Sequence, residues 1–540
     1  MASDILSLWR EEGAQRIQKN YEEFRDLLAQ TNLYLQRGEY ETAAAFAEVA
    51  ALHAVRKHNG LFASFELEQI LFAIAEKTIY HTPYPKHFPS FETPQSILHI
   101  STSVGSIGGH SRNLWRWIRQ DESRSHSVAL TQQAPIPIPE LLQNEVAKSC
   151  GSIFVLNETT NSPIQRAQQL RDIASAFDLV VLHVHNDDVI PMLAFANKEQ
   201  TPPIVLLDHA DHLFWLGAGV SDVVAGMREA GIRLAQERRG IAPERSALLP
   251  IILEPKQRVL SRAEAKQQIG IPEDRILLLS IARAIKYKAL DGVTFADAHV
   301  SLLKQHPQAT LVIVGPGDSE DWSAAISQTK GRIKVIGETE NTALFYQAAD
   351  IYVDSFPFPS NTSLLEAGCY GLPLVSRYLY SSEVCDIFGA GAPGLTGSMI
   401  QVRTLEEYIA ALSRLIEDEE LRLTLGEATI RSITEKHLKD DWQSLLENVY
   451  AAAINLPRVS PSSEPVDKIF IGEPDVYVER IDGWGFDLAA AIKKYKQYVP
   501  FNHRLRIWFQ QSQKNKWQVK KNNGWGHISL LLPDFFLHSY

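Results

Sequence analysis

"RILLLSIARAIKYKAL" (residues 275–290) opens with an apolar run from Ile276 to Ile281, broken only by Ser280. A continuous rather than alternating run is what a strand covered on both faces of a parallel sheet needs. The run stops on Arg283, Lys286 and Lys288, so a strand end carries three cations. Downstream, "ATLVIVG" (309–315), "IKVIG" (333–337), "DIYVDS" (350–355) and "PLVSR" (373–377) repeat the apolar pattern, with helical patterns such as "DGVTFADAHVSLLKQH" and "NTALFYQAAD" between them. Strands alternating with helices predict a doubly wound α/β domain. Upstream, "ILHIST" (97–102), "DLVVLHVH" (178–185) and "PIVLLDH" (203–209) predict another. Two such domains in tandem leave a cleft between them.

The flanks differ. Residues 1–94 read as helices, with apolar positions three and four apart. Within them "LYLQRGEYETAAAFAEVAALHA" is a helical hairpin around Gly38, and Ala43, Ala44, Ala45 and Ala47 allow close helix approach. It resembles one tetratricopeptide unit without the further repeats an array needs, and reads as a helical packing or protein-partner segment. The first α/β domain is expected over 95–255 and the second over 256–455, closing with helices over 404–454 that begin at a capping box of Thr404 and Glu407. A Pro- and Ser-rich linker, "NLPRVSPSSEPVD", starts the final module, 456–540.

Residues 490–540 hold nine Lys and Arg against one acid, Asp534, interleaved with Tyr495, Tyr498, Trp508, Phe509, Trp517 and Trp525. The similar stretches "DGWGF" (482–486) and "NGWGH" (523–527) suggest turns between aromatic strands of a small β-rich module. Such a composition suits an anionic membrane contact, a nucleic acid or a sugar chain; packed aromatics with solvated lysines explain it equally well.

At 540 residues the chain exceeds a single core, and its 45% hydrophobic and 22% charged composition is that of a globular protein. A net charge of −11 argues against a nucleic-acid-binding surface. Cys150, Cys369 and Cys385 have neither zinc-site nor disulfide spacing, which fits a reducing compartment. The charged N-terminus lacks a signal's apolar centre, so a cytoplasmic protein, with peripheral membrane attachment left open, is expected.

Ligands of open α/β sheets bind beyond the carboxyl ends of strands. After the first strand, "SVGSIGGHSRNLWRWI" places Gly105, Gly108 and Gly109 before an amphipathic helix; it is either a tight turn or a close approach of backbone to an anion. "DHADHLFWLG" packs Asp208, His209, Asp211 and His212 into five positions. Metal ligation there lacks a third and fourth ligand, and a polar strand end lining a cleft explains the same residues. Arg283, Lys286 and Lys288 suit a diphosphate or a solvated loop. In "DSFPFPSNTSLLEAG" (354–368), Ser360, Asn361, Thr362 and Ser363 either cap a helix or help its N–H groups hold a phosphate, with Glu366 one turn on, where it could accept from ribose hydroxyls.

In this order the pieces resemble the C-terminal half of GT-B glycosyltransferases, above all the group 1 (family 4) enzymes typified by sucrose synthases and bacterial mannosyltransferases. Arg283 and Lys288 keep the family's five-residue Arg–Lys spacing, with Ala282 and Ala289 replacing its glycines. Leu311–Gly317 matches "LVIVG-x-G", "IKVIG" a following strand, "NTALFYQAAD" the "L-x-x-x-Y-x-x-A-D" pattern, and "LLEAGCYGLPLV" the signature "LEAMACGTPVV". The resemblance covers roughly 97–454. It implies two Rossmann-like domains and sugar transfer from a nucleotide-diphosphate donor, a UDP-sugar ahead of a GDP-sugar, to an acceptor it does not identify. It also implies no metal or cofactor. Arg283 and Lys288 would hold the diphosphate and act in catalysis with His209; Gly108, Gly109, Gly315, Asn361, Thr362, Ser363 and Glu366 would complete the donor side; His110, Asp208 and His209 would face the acceptor.

One position departs. The family carries a second glutamate eight residues before Glu366, where this chain has Phe358. The "SNTS" run also resembles the helix start of protein O-GlcNAc transferases, which invert and carry helical repeats, whereas the sucrose-synthase-like enzymes retain. The longer match favours retention; inversion would need a base, His110 or His209. A non-catalytic binding protein on the same fold and a sugar-phosphate epimerase are the alternatives.

Overall fold

The computed structural model describes residues 2–80, 93–106, 108–198, 201–254, 256, 258–289, 292–319, 321–378, 386–459, 467–483, 485–514 and 530–531. The expectations for Cys385, Trp517, Trp525, Asp534 and "NGWGH" lie outside these residues.

Two parallel sheets carry the fold. The first joins β1 (Ser96–Ser101), β2 (Ser125–Leu130), β3 (Ile153–Val155), β4 (Leu179–His183), β5 (Ile204–Asp208), β6 (Val223–Gly226) and β7 (Ser246–Leu248) in the order β3-β2-β1-β4-β5-β6-β7. The second joins β8 (Ile276–Ile281), β9 (Ala309–Gly315), β10 (Ile333–Gly337), β11 (Ile351–Val353), β12 (Leu374–Arg377) and β13 (Ile400–Val402) in the order β10-β9-β8-β11-β12-β13. Every residue of β4 and β5 is buried, as the continuous apolar runs required. Strand order reverses direction between β1 and β4 and again between β8 and β11. A crevice for a ligand opens at such switch points, beyond the strands' carboxyl ends.

Three helices cover a flank of the first sheet: α1 (Ala2–Gln36), α2 (Tyr40–Arg56) and α3 (Phe65–Thr78). Gly38 makes the α1–α2 turn at φ +72°, a backbone region glycine enters without strain, and Ala43, Ala44, Ala45 and Ala47 are fully buried. These helices share one apolar core with β1, β4 and β5. Glu68 on α3 anchors them: its carboxylate accepts the backbone N–H of Gly217 at 2.6 Å, Ala218 at 3.1 Å and Gly219 at 2.8 Å. Glu68→Ala leaves three buried donors unpaired, so urea unfolding of that variant should show a loss of at least about 1–3 kcal/mol; an unchanged midpoint would mean the loop finds other acceptors.

The helix Lys439–Asn455, grouped by sequence with the second domain, packs on the first sheet instead. Trp442 donates to the Pro250 carbonyl at 2.8 Å, and Trp442, Leu446 and Tyr450 share a core with Ile97, Leu179 and Val181. The sequence also suggested aromatic strands after residue 482. The described residues are helical there: Leu488–Lys493 and Phe501–Lys514. Ile492, Tyr495 and Val499 recur at helical spacing and bury against α2, where Thr42 Oγ1 donates to the Tyr498 carbonyl at 2.5 Å and Glu48 pairs with Lys494 and Tyr495. No described helix is long and apolar enough to cross a membrane.

Candidate functional site

Both switch points face one cleft. From the first sheet, the turn after β1 leads into the helix α4 (Gly109–Gln120), with Gly108 as its N-cap at φ +128°. From the second, the loop after β11 leads into the helix Asn361–Cys369. The two helix starts meet: a Cβ on Gly109 would stand 3.0 Å from Thr362 Oγ1. A side chain at 109 would thus crowd Thr362 across the cleft, and the close approach, not the turn, is what favours glycine there.

Asp354, at the end of β11, sets the second helix start. Its Oδ1 accepts the Ser360 N–H at 2.8 Å and its Oδ2 the Ser376 hydroxyl at 2.8 Å. Burial pushes its pKa up, and these bonds together with Lys286 oppose the shift. Ser360 holds the N-cap position but makes no side-chain cap; its hydroxyl donates to Ser363 Oγ at 3.1 Å instead. A helix start whose N–H groups no side chain caps keeps them for an anion.

Lys286 reaches this helix start from the other strand end. Its ammonium donates to the Pro359 carbonyl at 2.9 Å and lies 4.6 Å from the centre of the Phe358 ring. The aromatic that replaces the expected glutamate thus forms a cation–π platform. Burial lowers the Lys286 pKa to about 8, with Asp354 opposing the shift and Arg283 adding to it. A 3₁₀ turn, Ala284–Lys286, follows Arg283. Lys288, the expected partner of Arg283, instead donates to the Arg480 carbonyl at 3.3 Å. At Gly315 a Cβ would lie 2.0 Å from the Ala282 carbonyl oxygen, so β9 needs a glycine to end against β8.

Glu366 Oε1 accepts from Arg112 at 2.9 Å and Arg116 at 3.4 Å, both on α4. This ion pair spans the cleft, and sequence reasoning passed over it although Arg112 and Arg116 sit at helical i, i+4 spacing in "SRNLWRW". Asn361 Nδ2 lies 3.5 Å from the Gly389 carbonyl.

On the first sheet's side, the rings of His110 and His209 face each other at a tilt of 39°, with centroids 4.2 Å apart. His209 Nδ1 lies 3.4 Å from the Leu207 carbonyl, and neither ring nitrogen of His110 has a partner. Burial pushes the pKa of His209 down to about 4 and that of His110 well below the ordinary range, so both rings are neutral at neutral pH. Asp208 is buried beside them, and burial raises its pKa to about 6. His183 and His185, which close β4 and the turn after it, lie 6.3 Å from His110 between ring centroids and were not expected at the site.

Residues 261–432 match the model of the family described as glycosyl transferases group 1. Two curated relatives are D-inositol 3-phosphate glycosyltransferases. That of Corynebacterium aurimucosum is 26% identical over 207 residues, 36% of this chain and 47% of the relative. That of Thermobifida fusca is 26% identical over 209 residues, 36% of this chain and 45% of the relative. The chain thus spans about half the length of the curated relatives it matches, 47% and 45%. Among solved structures, Anabaena HepE in complex with UDP superposes with a TM-score of 0.52 at 14% identity, covering 67% of this chain and 100% of that one. HepE with UDP-glucose gives 0.51 at 16% identity, with 67% and 100% covered. A glycosyltransferase from Rickettsia africae gives 0.52 at 11% identity, with 67% and 99% covered. At these identities the likeness shows the fold, two Rossmann-like domains in the GT-B arrangement.

Proposed function

We propose that the chain, whose residues 261–432 match the group 1 glycosyltransferases, moves a sugar from a nucleotide-diphosphate donor, a UDP-sugar first, to an acceptor hydroxyl in the cleft. The observation that carries this reading is the meeting of the uncapped start of Asn361–Cys369 with Lys286 and the Gly109 turn. Together they offer N–H groups, a cation and room for backbone approach, the requirements of a diphosphate. Lys286 and Arg283 would neutralise the charge that grows on the departing diphosphate, work a metal does elsewhere. Thr362 and Ser363 would hold the phosphates. Glu366, whose Oε1 serves Arg112 and Arg116, would present Oε2 to the ribose. His110 and His209 would face the acceptor. Domain closure would exclude water from the donor.

The test is thermal unfolding with UDP, GDP and their sugars. A ligand at about one hundred times its Kd adds about 2.7 kcal/mol of stability. The shift should appear with one base and weaken as pH rises through about 8, because Lys286 loses its charge there. A shift that is flat from pH 7 to 9.5 would remove Lys286 from the site, and none with any nucleotide would remove the donor. One feature favours a second reading, a binding protein without turnover: Glu366 is already engaged by two arginines. Binding of a nucleotide sugar without product would select it.

A further inference from the structure

A string of histidines runs through the interior of the first sheet. At one end, His126 Nε2 meets the Asp121 carbonyl at 2.9 Å. A carbonyl only accepts, so in the neutral ring Nε2 carries the proton and Nδ1 is a bare acceptor. His99 Nε2, 2.9 Å from that Nδ1, must therefore donate. His99 Nδ1 must then accept, from His183 Nε2 at 3.0 Å. One carbonyl thereby fixes three tautomers. The last acceptor, His183 Nδ1, is buried and has no partner.

All three rings are fully buried, and Trp117 packs edge-on to His99 and His183. Burial lowers the pKa of each, which keeps them neutral. Beyond the carbonyl lies the Asp121 carboxylate, its Oδ2 3.5 Å from His126 Nε2, held by Arg124 at 2.7 Å and Tyr450 at 3.1 Å. At the cleft end the next ring is His110, 6.3 Å from His183 between centroids, against 5.1 and 5.2 Å for the bonded pairs. An approach of about an ångström, or one bridging water, joins the string to the cleft.

We propose that His183, His99 and His126 form a proton relay between the cleft histidines His110 and His209 and the carboxylate of Asp121. The proposal rests on the transfer reaction above. As the acceptor oxygen bonds to the sugar, its proton passes to His110 and on to His183 Nδ1. His183 releases its Nε2 proton to His99 Nδ1, His99 its Nε2 proton to His126 Nδ1, and His126 its Nε2 proton to Asp121. One proton leaves the cleft and one arrives on the carboxylate. The reverse sequence returns it to the departing diphosphate and restores each tautomer, so no proton is stored between turnovers. The three histidines are positioning and conducting groups that never touch substrate.

Two measurements decide this. In ¹⁵N-histidine-labelled wild-type protein at neutral pH, with signals assigned through His99→Gln and His126→Gln, all three rings should be neutral with the proton on Nε2; one ring protonated on Nδ1, or charged, overturns the relay. In kinetics, His99→Gln keeps a polar side chain but cannot pass a proton. Its turnover should fall about 10- to 100-fold with the donor KM unchanged, and a curved dependence of rate on D₂O fraction should become linear. Asp121→Asn should reproduce that pattern and serves if His99→Gln does not fold. If wild type transfers sugar and both folded variants match it, the relay is wrong and the transfer reaction stands. If wild type transfers no sugar while still binding nucleotide, the transfer reaction fails and the relay with it.

Discussion

Arg228→Ala should cost about 3–5 kcal/mol in urea unfolding, the loss expected when one partner of a buried ion pair is removed. Arg228 precedes the helix Glu229–Arg239 and is 5% exposed, so its charge has little access to water. It pairs with Asp211 at 2.6 and 3.2 Å and donates to the carbonyls of Asp386, Ile387 and Gly389 at 3.0, 3.0 and 3.2 Å. Those carbonyls belong to the segment between β12 and β13, so one side chain ties the two sheets' loops together across the cleft. Its removal strands the Asp211 carboxylate near Asp208. The guanidinium holds the Asp211 pKa far below the usual carboxylate range. A folded pKa below the unfolded value gives stability that is present above about pH 3.9 and is lost as pH falls further. The gap between wild type and Arg228→Ala should therefore be widest near neutrality and narrow below about pH 4. A gap under about 1 kcal/mol at pH 7 would show that water reaches Asp211 and pairs it instead.

Lys286→Ala should lower turnover about 10²- to 10³-fold, the usual consequence of removing a preorganised charge from a site where negative charge develops. Stability should change far less, since the side chain gives up one bond to the Pro359 carbonyl and its place over Phe358. Lys288→Ala is the discriminating control: its ammonium is turned to the Arg480 carbonyl, and the variant should keep most activity. If Lys288→Ala were the more damaging, the five-residue spacing would have identified the working cation and the 3₁₀ turn would have misled.

That contrast marks where sequence stopped being sufficient. Spacing to Arg283 pointed to Lys288, whereas the bond of Lys286 to the Pro359 carbonyl at the helix start follows from a 3₁₀ turn that leaves no periodic signal in so short a segment. The second sheet was legible because five of its six strands are apolar runs between helices; β13 is three residues long, and its side chains are only partly buried. In the first sheet, β1, β4 and β5 stood out, whereas β2 (SHSVAL) carries polar side chains into the core, and β3, β6 and β7 run only three to four residues. One of them, His126, is buried through its bonds to Asp121 and His99 rather than by apolar character. Gly109 and Thr362, read from the ends of strands and the start of a helix, do meet across the cleft. The Arg112–Arg116 grip on Glu366 was missed because a carboxylate's partner on a distant helix leaves no local trace.

The seat of Tyr495 and Lys494 against Glu48 has a consequence for synthesis. Lys494 and Tyr495 are made 446 and 447 residues after the glutamate they satisfy. Until they emerge from the ribosome, α2 carries a half-covered carboxylate and an incomplete apolar face. The helices translated first are thus among the last to be finished. Chains stopped short of Lys494 should be the species that chaperones hold and proteases cut near α2, even when both sheets are already complete.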